Sequence, residues 1–412
     1  MISVAEAERL ILERVGQLPS ERRRLQEIEG RVLRQAITAD RDGPPFDRAT
    51  LDGVCLRHAK WAAGKREFPI TGLQAAGAEP VRAPGMGDCL EIMTGAPVPE
   101  GCDCVLPVED FERDGETARA RDGAVLERGQ GIHPCGSDFK TGDLLVPAGC
   151  VLTGREIAVA ASCGFDMLDV TIQPKIAVLT TGDELVDVED VPKRHQIRRS
   201  NDLALRAALM AAGHSQIELN HLPDNPNAIS WNLERLLQQA DVILISGGVS
   251  KGKFDHIPEA LIELGVQRAY HGVAQRPGKP MFFDTFDRPG DFLHPEDTRV
   301  VAVFALPGNP VSSYTCFHRY VLPGLARMCG IEHAFPAESI SLAGPIRRHP
   351  RLTLFMPVTL EPGTNGQLCA TPRPFNTSGD FASIAPTHGF VEIAPGEAEL
   401  PVGSPAAFVR WT

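Results

Sequence analysis

The first fifteen residues carry the spacing of an amphipathic helix. Apolar side chains recur three and four positions apart and so share one helical face; they are Val4, Ala7, Leu10, Ile11 and Val15. Ser3 and Glu6 have the spacing of a capping box, in which each side chain bonds a backbone N–H of the first turn. The pattern therefore predicts a helix that begins after Ser3 and ends near Gly16.

The pattern is different between residues 36 and 149, where apolar pieces are short and Pro-Pro, Asp-Gly and Pro-Gly pairs interrupt them. Such punctuation is typical of strands joined by tight turns, so β-rich modules with little helix are expected there. Residues 339–412 also contain short apolar runs with proline and glycine turns, which predicts a small β-barrel or sandwich.

Residues 175–330 alternate between apolar runs and segments with helical periodicity. The runs that predict strands are 176–179, 217–219, 242–245, 281–283 and 300–306. The segments that predict helices are 202–212, 229–239, 258–264 and 311–328. Because strands that alternate with helices form parallel sheets covered on both faces, the sequence predicts a three-layer α/β domain with a mainly parallel sheet.

Composition narrows the class of protein. A length of 412 residues allows about two to four domains of ordinary size. The formal net charge of −12 argues against nucleic acid or an anionic membrane as the main partner, because both attract basic surfaces through their phosphates. The start of the chain lacks the positive charge of a secretory signal, no apolar run approaches about 18 residues, and the ten cysteines include no CxxC pair. A cytoplasmic protein with reduced thiols is therefore expected.

Three glycine-containing loops directly follow predicted strands of the α/β segment. They are Thr-Thr-Gly-Asp-Glu at 180–184, Ser-Gly-Gly-Val-Ser at 246–250 and Leu-Pro-Gly-Asn-Pro-Val-Ser at 306–312. Ligands of open α/β sheets bind at the carboxyl ends of the strands, and glycine lets backbone N–H groups approach an anion. Turn chemistry explains any one of these loops, whereas three in one domain indicate a ligand that bears phosphate or another oxyanion.

One segment matches a nucleotide-binding motif only in part. Residues 247–253 have the spacing of a phosphate-binding P-loop, but Phe254 stands where that site needs a hydroxyl to hold Mg²⁺. The sequence therefore argues against an ordinary P-loop nucleotidase.

Charged side chains near these loops supply complementary chemistry. Glu184 and Asp255 lie at predicted strand ends, where carboxylates hold a divalent cation or position water. Both also suit an exposed surface or a helix cap, and for Asp255 capping of the helix predicted at 258–264 stays an open alternative. Arg276 and Lys279 flank a Pro-Gly turn that suits an oxyanion, although a solvated basic loop has the same sequence.

A series of short motifs follows in a distinctive order along the chain. They are Pro-Pro-Phe-Asp at 44–47, Leu-Asp-Gly at 51–53, Thr-Gly-Ala at 94–96, Gly-Ser-Asp at 136–138 with Gly-Asp at 142–143, Thr-Gly-Asp-Glu at 181–184, Ser-Gly-Gly-Val-Ser at 246–250, Pro-Gly-Lys-Pro at 277–280 and Leu-Pro-Gly-Asn-Pro-Val-Ser at 306–312. In this order they resemble the MoeA family of molybdopterin molybdenumtransferases, to which the E domain of gephyrin is related. The match runs in register from about residue 1 to 330, and its specificity lies in the combination.

The resemblance implies an elongated subunit of four parts. Residues 1–46 and 141–172 are expected to form an amino-terminal helix and linker domain, 47–140 an inserted β-rich module, 173–332 an α/β molybdopterin-binding domain like that of the molybdopterin adenylyltransferases, and 333–412 a β-barrel. It also implies a homodimer whose cleft lies between the α/β domain of one subunit and the β modules of the other. Expected protein partners are a molybdopterin adenylyltransferase and the proteins that deliver the cofactor to molybdoenzymes.

The implied reaction inserts molybdenum from molybdate into adenylylated molybdopterin and releases AMP, with Mg²⁺ assisting. By their match to the family's motifs, Asp52, Glu184 and Asp255 are the predicted catalytic carboxylates, and Glu184 and Asp255 the metal ligands. The predicted substrate-binding residues are Thr94, Asp138, Thr181, Gly182, Asp183, Ser246, Gly247, Gly248, Ser250, Arg276, Lys279, Pro280, Pro307, Gly308, Asn309, Pro310, Arg351 and Ser378. Among them, Arg276, Lys279 and Ser378 match the positions that hold molybdate.

Two departures from the family's pattern affect the site. The segment 51–55 reads Leu-Asp-Gly-Val-Cys instead of Met-Asp-Gly-Tyr-Ala, which keeps the carboxylate but loses an aromatic wall. The family's Arg-x-x-Phe-x-Arg is also altered, because Arg351 precedes Phe355 by one extra residue and Pro357 replaces the second arginine. The candidates to replace that cation are Arg347, Arg348 and Arg351, all of which also suit a solvated basic face.

Other functions on the same scaffold stay open at this point. They are adenylyl transfer to molybdopterin, insertion of tungstate, and a binding scaffold that keeps the fold, as gephyrin also clusters receptors. The retained carboxylates Asp52 and Glu184 argue against a purely structural role.

Overall fold

The structure is a computed structural model that describes residues 1–248, 256–290, 298–331, 338–363, 366–377 and 379–412. Its internal contacts define two compact units. The first comprises Met1–Arg34, Gly149–Thr153 and Leu168–Thr412, and the second comprises Gln35–Ala148 and Gly154–Met167. The four-part division expected from the sequence is finer than these units and stays a prediction.

A six-stranded sheet forms the centre of the α/β part of the first unit. Its strands lie in the spatial order Ile217–Leu222, Ile176–Thr181, Val242–Ser246, Arg299–Leu306, Phe282–Arg288 and Gln267–His271. The first four strands are mutually parallel, and the last two pair antiparallel at one edge. The mainly parallel sheet predicted from the sequence is therefore confirmed.

Alternate residues of the central strands pack into two separate cores. Ile176 and Val178 belong to one hydrophobic cluster, whereas Ala177 and Leu179 belong to another. Because successive side chains of a strand point to opposite faces, helices must cover the sheet on both sides. The first cluster includes residues of the helices Asn201–Ala211 and Pro310–Cys316, and the second includes residues of Pro226–Gln239 and Ile257–Glu263. This is the predicted three-layer arrangement.

The amino-terminal helix spans Val4–Arg14 and buries Val4, Ala7 and Ile11. Ser3 Oγ accepts the backbone N–H of Glu6 at 3.1 Å, as the capping-box spacing predicts. The helix ends two residues before Gly16, because Val15 is already extended. None of the helices in the described ranges has the length and apolar composition that crossing a bilayer requires.

The helix after the third glycine loop is continuous but irregular. Pro310–Cys316 and Leu322–Met328 are α-helical, and one π-helical turn, Phe317–Val321, joins them. The sequence predicted a single helix over 311–328 and gave no sign of this turn. A π turn is rare, and it shifts the side chains that follow it around the helix axis.

The carboxyl-terminal segment forms a closed five-stranded β-barrel. Its strands pair in the order Thr353–Pro362, Leu368–Pro372, Glu338–Leu342, Pro405–Arg410 and Gly389–Ile393, and the last pairs back with the first. The short strand Gln275–Arg276 pairs in parallel with the start of the first barrel strand. Arg276 therefore lies beside the barrel, and the barrel predicted from the sequence is confirmed.

The second unit is rich in β-structure, as expected. Its main sheet contains Cys104–Pro107, Gly53–Leu56, Cys89–Ile92, Glu67–Gln74, Thr117–Ala120 and Phe111–Asp114, in that spatial order. Two strand pairs join Ile37–Thr38 to Leu144–Val146 and Arg48–Ala49 to Ile132–His133. The α-helices of this unit are His58–Ala62 and Gly154–Ser162.

Short elements complete the secondary structure. Ser20–Arg24 pairs with Met167–Thr171, and in the first unit Leu185–Val186 pairs with Ile197–Arg198. The 3₁₀ turns are Leu25–Glu27, Val108–Asp110 and Phe381–Ser383.

Candidate functional site

The three glycine loops meet at one cavity of about 550 Å³, at the carboxyl ends of the parallel strands. This is the edge of the sheet at which the sequence placed the ligand. The predicted residues that line the cavity are Thr181, Gly182, Glu184, Ser246, Gly247, Gly248, Pro280, Pro307, Gly308, Asn309 and Pro310. Residues far apart in the sequence therefore come together as predicted, although their individual roles stay predictions.

Glycine is required where the first two loops touch. Gly247 and Gly248 both have positive φ, +99° and +65°. A Cβ at Gly247 would lie 2.9 Å from the Thr181 carbonyl oxygen, and one at Gly248 would lie 2.9 Å from the Thr181 hydroxyl. Any side chain would therefore strain the backbone and separate the loops.

Glu184 folds back over its own loop. A Cβ built on Gly182 would lie 2.5 Å from Glu184 Oε2, so the carboxylate packs against the glycine backbone. The side chain is exposed and lines the cavity. It is therefore open to a ligand there.

Asn201 joins two of the glycine loops and was missed by the sequence analysis. Its Nδ2 donates to Ser246 Oγ and to the Gly308 carbonyl, both at 2.8 Å. The partners lie 45 and 107 positions away, so no local motif points to them. The one available signal was position, since Asn201 immediately precedes the helix predicted at 202–212.

Two arginines also line this cavity without having been predicted. Arg199 forms ion pairs with Asp187 at 3.0 Å and with the buried Asp202 at 3.5 Å. Arg198 donates from Nε to the Asp190 carbonyl at 3.1 Å. These contacts hold both arginine side chains. Because Arg199 is already paired with two carboxylates, the positive charge that favours an anionic ligand comes from Arg198.

A second cavity, of about 250 Å³, contains the Pro-Gly-Lys-Pro turn. Arg276 and Lys279 line it and are exposed. It shares Pro280, Pro307 and Asn309 with the first cavity, so the two are contiguous. The structure thus places the predicted oxyanion residues beside the glycine loops.

A third cavity, of about 460 Å³, extends the positive region toward the barrel. Arg276 lies at the boundary with the second cavity, and Arg347, Arg348 and His349 line the rest together with Glu397. Arg348 is held in place because its Nε donates to the Ala394 carbonyl at 3.0 Å. Arg351 is not among the residues that line this cavity, and its backbone N–H donates to His349 Nδ1 at 3.1 Å.

Asp52 and Thr94 form a compact pair in the second unit. Asp52 Oδ1 accepts the Thr94 N–H at 2.7 Å and the Thr94 hydroxyl at 2.9 Å. The backbone N–H, and then the hydroxyl, lower the pKa of the Asp52 carboxyl from its usual value of 3.8, because both bonds favour the charged form. Asp52 is therefore an exposed, ionised carboxylate at neutral pH.

The strand behind this pair depends on a glycine. A Cβ at Gly53 would lie 2.1 Å from the Leu106 carbonyl oxygen. The close approach of the two strands explains why the motif needs glycine at position 53. Asp52 is thus held at the end of a rigid, buried strand.

Other predicted residues have separate surroundings or fall outside the described ranges. Asp138 Oδ1 lies 2.9 Å from His133 Nε2 in the second unit. Asp183 is not part of the lining of the glycine-loop cavity, and its Oδ1 accepts the Asp224 N–H at 3.1 Å. Three predicted residues lie outside the described ranges: Ser250, Asp255 and Ser378. The same holds for residues 249–253 of the P-loop-like segment.

A larger cavity, of about 890 Å³, lies at the opposite edge of the sheet. It is bounded by the amino-terminal ends of two parallel strands and by charged residues such as Asp241 and Arg288. These two already form an ion pair at 3.0 Å. The glycine loops do not line this larger cavity, because they lie at the carboxyl ends of the strands.

Models of known families match three consecutive parts of the chain. The MoeA N-terminal region (domain I and II) matches residues 2–164, and the MoeA C-terminal region (domain IV) matches residues 339–411. Between them, residues 177–327 match a family described as "Probable molybdopterin binding domain".

Whole-chain relatives agree with these matches. The chain is 35% identical over 382 residues to a molybdopterin molybdenumtransferase of Synechocystis sp., covering 93% of each protein. It is 29% identical over 413 residues to one of Staphylococcus aureus, covering 98% of this chain and 94% of that protein. The solved structure of a molybdopterin biosynthesis MoeA protein from Pyrococcus horikoshii matches with 28% identity and a TM-score of 0.80, over 100% of this chain and 99% of that one. The chain therefore belongs to the MoeA family.

Proposed function

We propose that this protein is a molybdopterin molybdenumtransferase, which inserts molybdenum from molybdate into adenylylated molybdopterin and releases AMP. One observation carries the proposal. The glycine-loop cavity, suited to a phosphorylated ligand, is contiguous with a cationic cavity through Pro280, Pro307 and Asn309. A reaction between a nucleotide-linked substrate and a small oxyanion needs two such adjoining sites.

The first cavity suits the anhydride of the substrate. Backbone N–H groups of glycine-rich loops bind phosphate oxygens, and Arg198 adds positive charge. Cleavage of a phosphoanhydride by an oxygen nucleophile builds charge on these oxygens, which fixed cations stabilise. Glu184 lies on the same cavity and is assigned to positioning the nucleophile and a metal ion.

The acidic residues of this cavity fit Mg²⁺. Glu184 and Asp224 both line it and offer carboxylate oxygens, which this hard cation prefers. Mg²⁺ usually takes one or two protein carboxylates and completes its shell with substrate phosphates and water. Bound there, it would neutralise charge on the anhydride oxygens. Asp255, the other predicted ligand, lies outside the described residues.

The second and third cavities suit molybdate. Lys279 and Arg276 present two exposed cations on the Pro-Gly-Lys-Pro turn. Arg347 and Arg348 adjoin Arg276 and thus supply the positive charge that Pro357 removes from the family's motif. Since Arg348 already bonds backbone carbonyls, Arg347 is the better candidate to meet the oxyanion.

The proposed enzyme works as a cytoplasmic homodimer whose clefts combine carboxylates from both subunits. Asp52, from the inserted module, is assigned to completing the cleft, and its ionised state suits a role beside a metal or a cation.

AMP release tests the assignment of Glu184. We expect Glu184→Gln to lower molybdate-dependent AMP release at least about tenfold, or roughly 1.4 kcal/mol of barrier, because the amide is a poor metal ligand and carries no charge. The matched control is Glu189→Gln, the same change at an exposed position outside the cavity lining, which should keep wild-type turnover. Equal turnover of Glu184→Gln and the control would remove Glu184 from the mechanism.

A further inference from the structure

A buried polar cluster lies directly behind the Pro-Gly-Lys-Pro turn. Gln275 is completely buried, and Cys316 and Tyr320 are also inaccessible to solvent. Gln275 Nε2 donates to the Gly278 carbonyl at 3.1 Å and to Cys316 Sγ at 3.3 Å, and Gln275 Oε1 accepts the Tyr320 hydroxyl. Both ends of the amide are therefore hydrogen-bonded within the protein core.

The partners determine which way the amide points. A backbone carbonyl can only accept, so the nitrogen of Gln275 must face Gly278. That orientation turns the amide oxygen toward Tyr320, whose hydroxyl must then donate. Without this donor, the amide oxygen would be buried and unsatisfied, and the amide that donates to Gly278 would be held less firmly.

The Gly278 carbonyl is held by both backbone and side-chain donors, among them the more distant Cys316 thiol at 3.9 Å. It accepts the Met281 N–H at 3.2 Å as well as the Gln275 amide. The carbonyl of Lys279, on the other side of its side chain, accepts the Val273 N–H at 3.0 Å. Both peptide groups that flank Lys279 are thus fixed, and their planes determine where its side chain leaves the backbone.

Close packing leaves the turn little freedom to adopt another shape. Gly278 has φ of +91°, and a Cβ there would lie 2.4 Å from Cys316 Sγ and 2.7 Å from Gln275 Nε2. Cys316 ends the helix that begins at the third glycine loop, and Tyr320 lies on the π turn that follows it. One irregular helix therefore connects the glycine-loop cavity to the rear of the cationic turn.

We propose that Gln275 and Tyr320 are positioning residues for oxyanion binding, and that they act by holding the Gly278 carbonyl so that Lys279 projects into the second cavity. This inference rests on the proposed function. Neither side chain touches the oxyanion. Their effect passes through the Gly278–Lys279 peptide, and the side chain that follows it must be placed within a fraction of an ångström to bind a small anion well.

Tyr320→Phe tests the inference by removing one oxygen atom and leaving the ring. We expect the molybdate concentration for half-maximal AMP release to rise about three- to tenfold, since one buried hydrogen bond is lost. Affinity for AMP should stay at the wild-type value. The matched control is Tyr270→Phe, because Tyr270 is also buried and its hydroxyl has no hydrogen-bond partner within the described chain. The control should leave the molybdate response unchanged.

A double-mutant cycle separates positioning from a general loss of stability. Lys279→Ala removes the group through which Tyr320 is proposed to act, so adding Tyr320→Phe to Lys279→Ala should raise the molybdate requirement no further. Full additivity of the two changes would overturn the inference. Thermal unfolding of each variant checks the fold, and Gln275→Met provides the same test should Tyr320→Phe not fold.

Equilibrium dialysis of molybdate distinguishes this inference from the proposed function. If wild type and Tyr320→Phe bind molybdate with equal affinity, the positioning role is refuted and the proposed function is not. Wild-type protein that neither binds molybdate nor needs it for AMP release would refute both.

Discussion

Replacing Asn201 with alanine should remove the hydrogen bonds that join two of the glycine loops and leave the hydrophobic core intact. The change removes two hydrogen bonds of 2.8 Å, one to Ser246 Oγ and one to the Gly308 carbonyl. Each hydrogen bond contributes about 1 kcal/mol net. The arrangement in which the two loops are joined therefore loses about 2 kcal/mol of stability relative to arrangements in which they are apart. Because productive binding needs the assembled arrangement, kcat/KM for adenylylated molybdopterin should fall by up to about thirtyfold.

The assay is AMP release at saturating molybdate over a range of adenylylated molybdopterin concentrations. The matched control is Asn232→Ala, which also deletes an asparagine hydrogen bond, from Nδ2 to the Ala228 carbonyl at 3.0 Å. Asn232 lies on the helix Pro226–Gln239 and does not line the cavity, so its variant should show wild-type kinetics. Wild-type kcat/KM in folded Asn201→Ala would refute the claim that this side chain assembles the site.

The remaining predictions concern the oxyanion site, the dimer and acid stability. Lys279→Ala should raise the molybdate concentration needed for half-maximal activity and leave nucleotide binding unchanged; an unaltered molybdate titration would make Lys279 an ordinary surface charge. Mixing inactive Glu184→Gln and Asp52→Asn subunits should restore about a quarter of wild-type activity, since half of random dimers are mixed and each has one intact cleft; no recovery from subunits that demonstrably exchange would refute a shared cleft. Burial lowers the pKa of His318 from 6.5 to about 4, so it contributes stability above pH 6.5 that is lost as the pH falls toward 4. Between pH 6.5 and 4, the free energy of unfolding measured in urea should therefore fall by up to about 3 kcal/mol less for His318→Gln than for wild type. Parallel curves of unfolding free energy against pH for the two proteins would contradict this.

The sequence predicted the elements whose signals are local. The capping box at Ser3 and the alternation of strands with helices over 175–330 both correspond to observed elements. Periodicity reports which face of an element is buried, and in this chain the buried faces determine the three layers. The antiparallel pairing of Phe282–Arg288 was not predictable, because an apolar run does not encode the direction of its neighbour.

Candidate residues could be predicted where a loop carries its own chemistry, and not where the role arises from tertiary contacts. Glu184 lies in such a loop. Asn201 gains its role from one partner at the end of a distant strand and another in the third glycine loop, and Gln275 from a helix that supplies Tyr320. Arg347 adjoins Arg276 only because the barrel pairs with the strand Gln275–Arg276. None of these relations has a characteristic spacing in sequence.

The most direct test of the central claim is the stoichiometry of the proposed reaction. Purified protein is incubated with adenylylated molybdopterin, Mg²⁺ and molybdate, and both released AMP and molybdenum bound to the pterin are measured. Equal amounts of the two products are expected, with no AMP above background when molybdate is omitted. AMP release that is independent of molybdate, or that occurs without molybdenum bound to the pterin, would contradict the central claim.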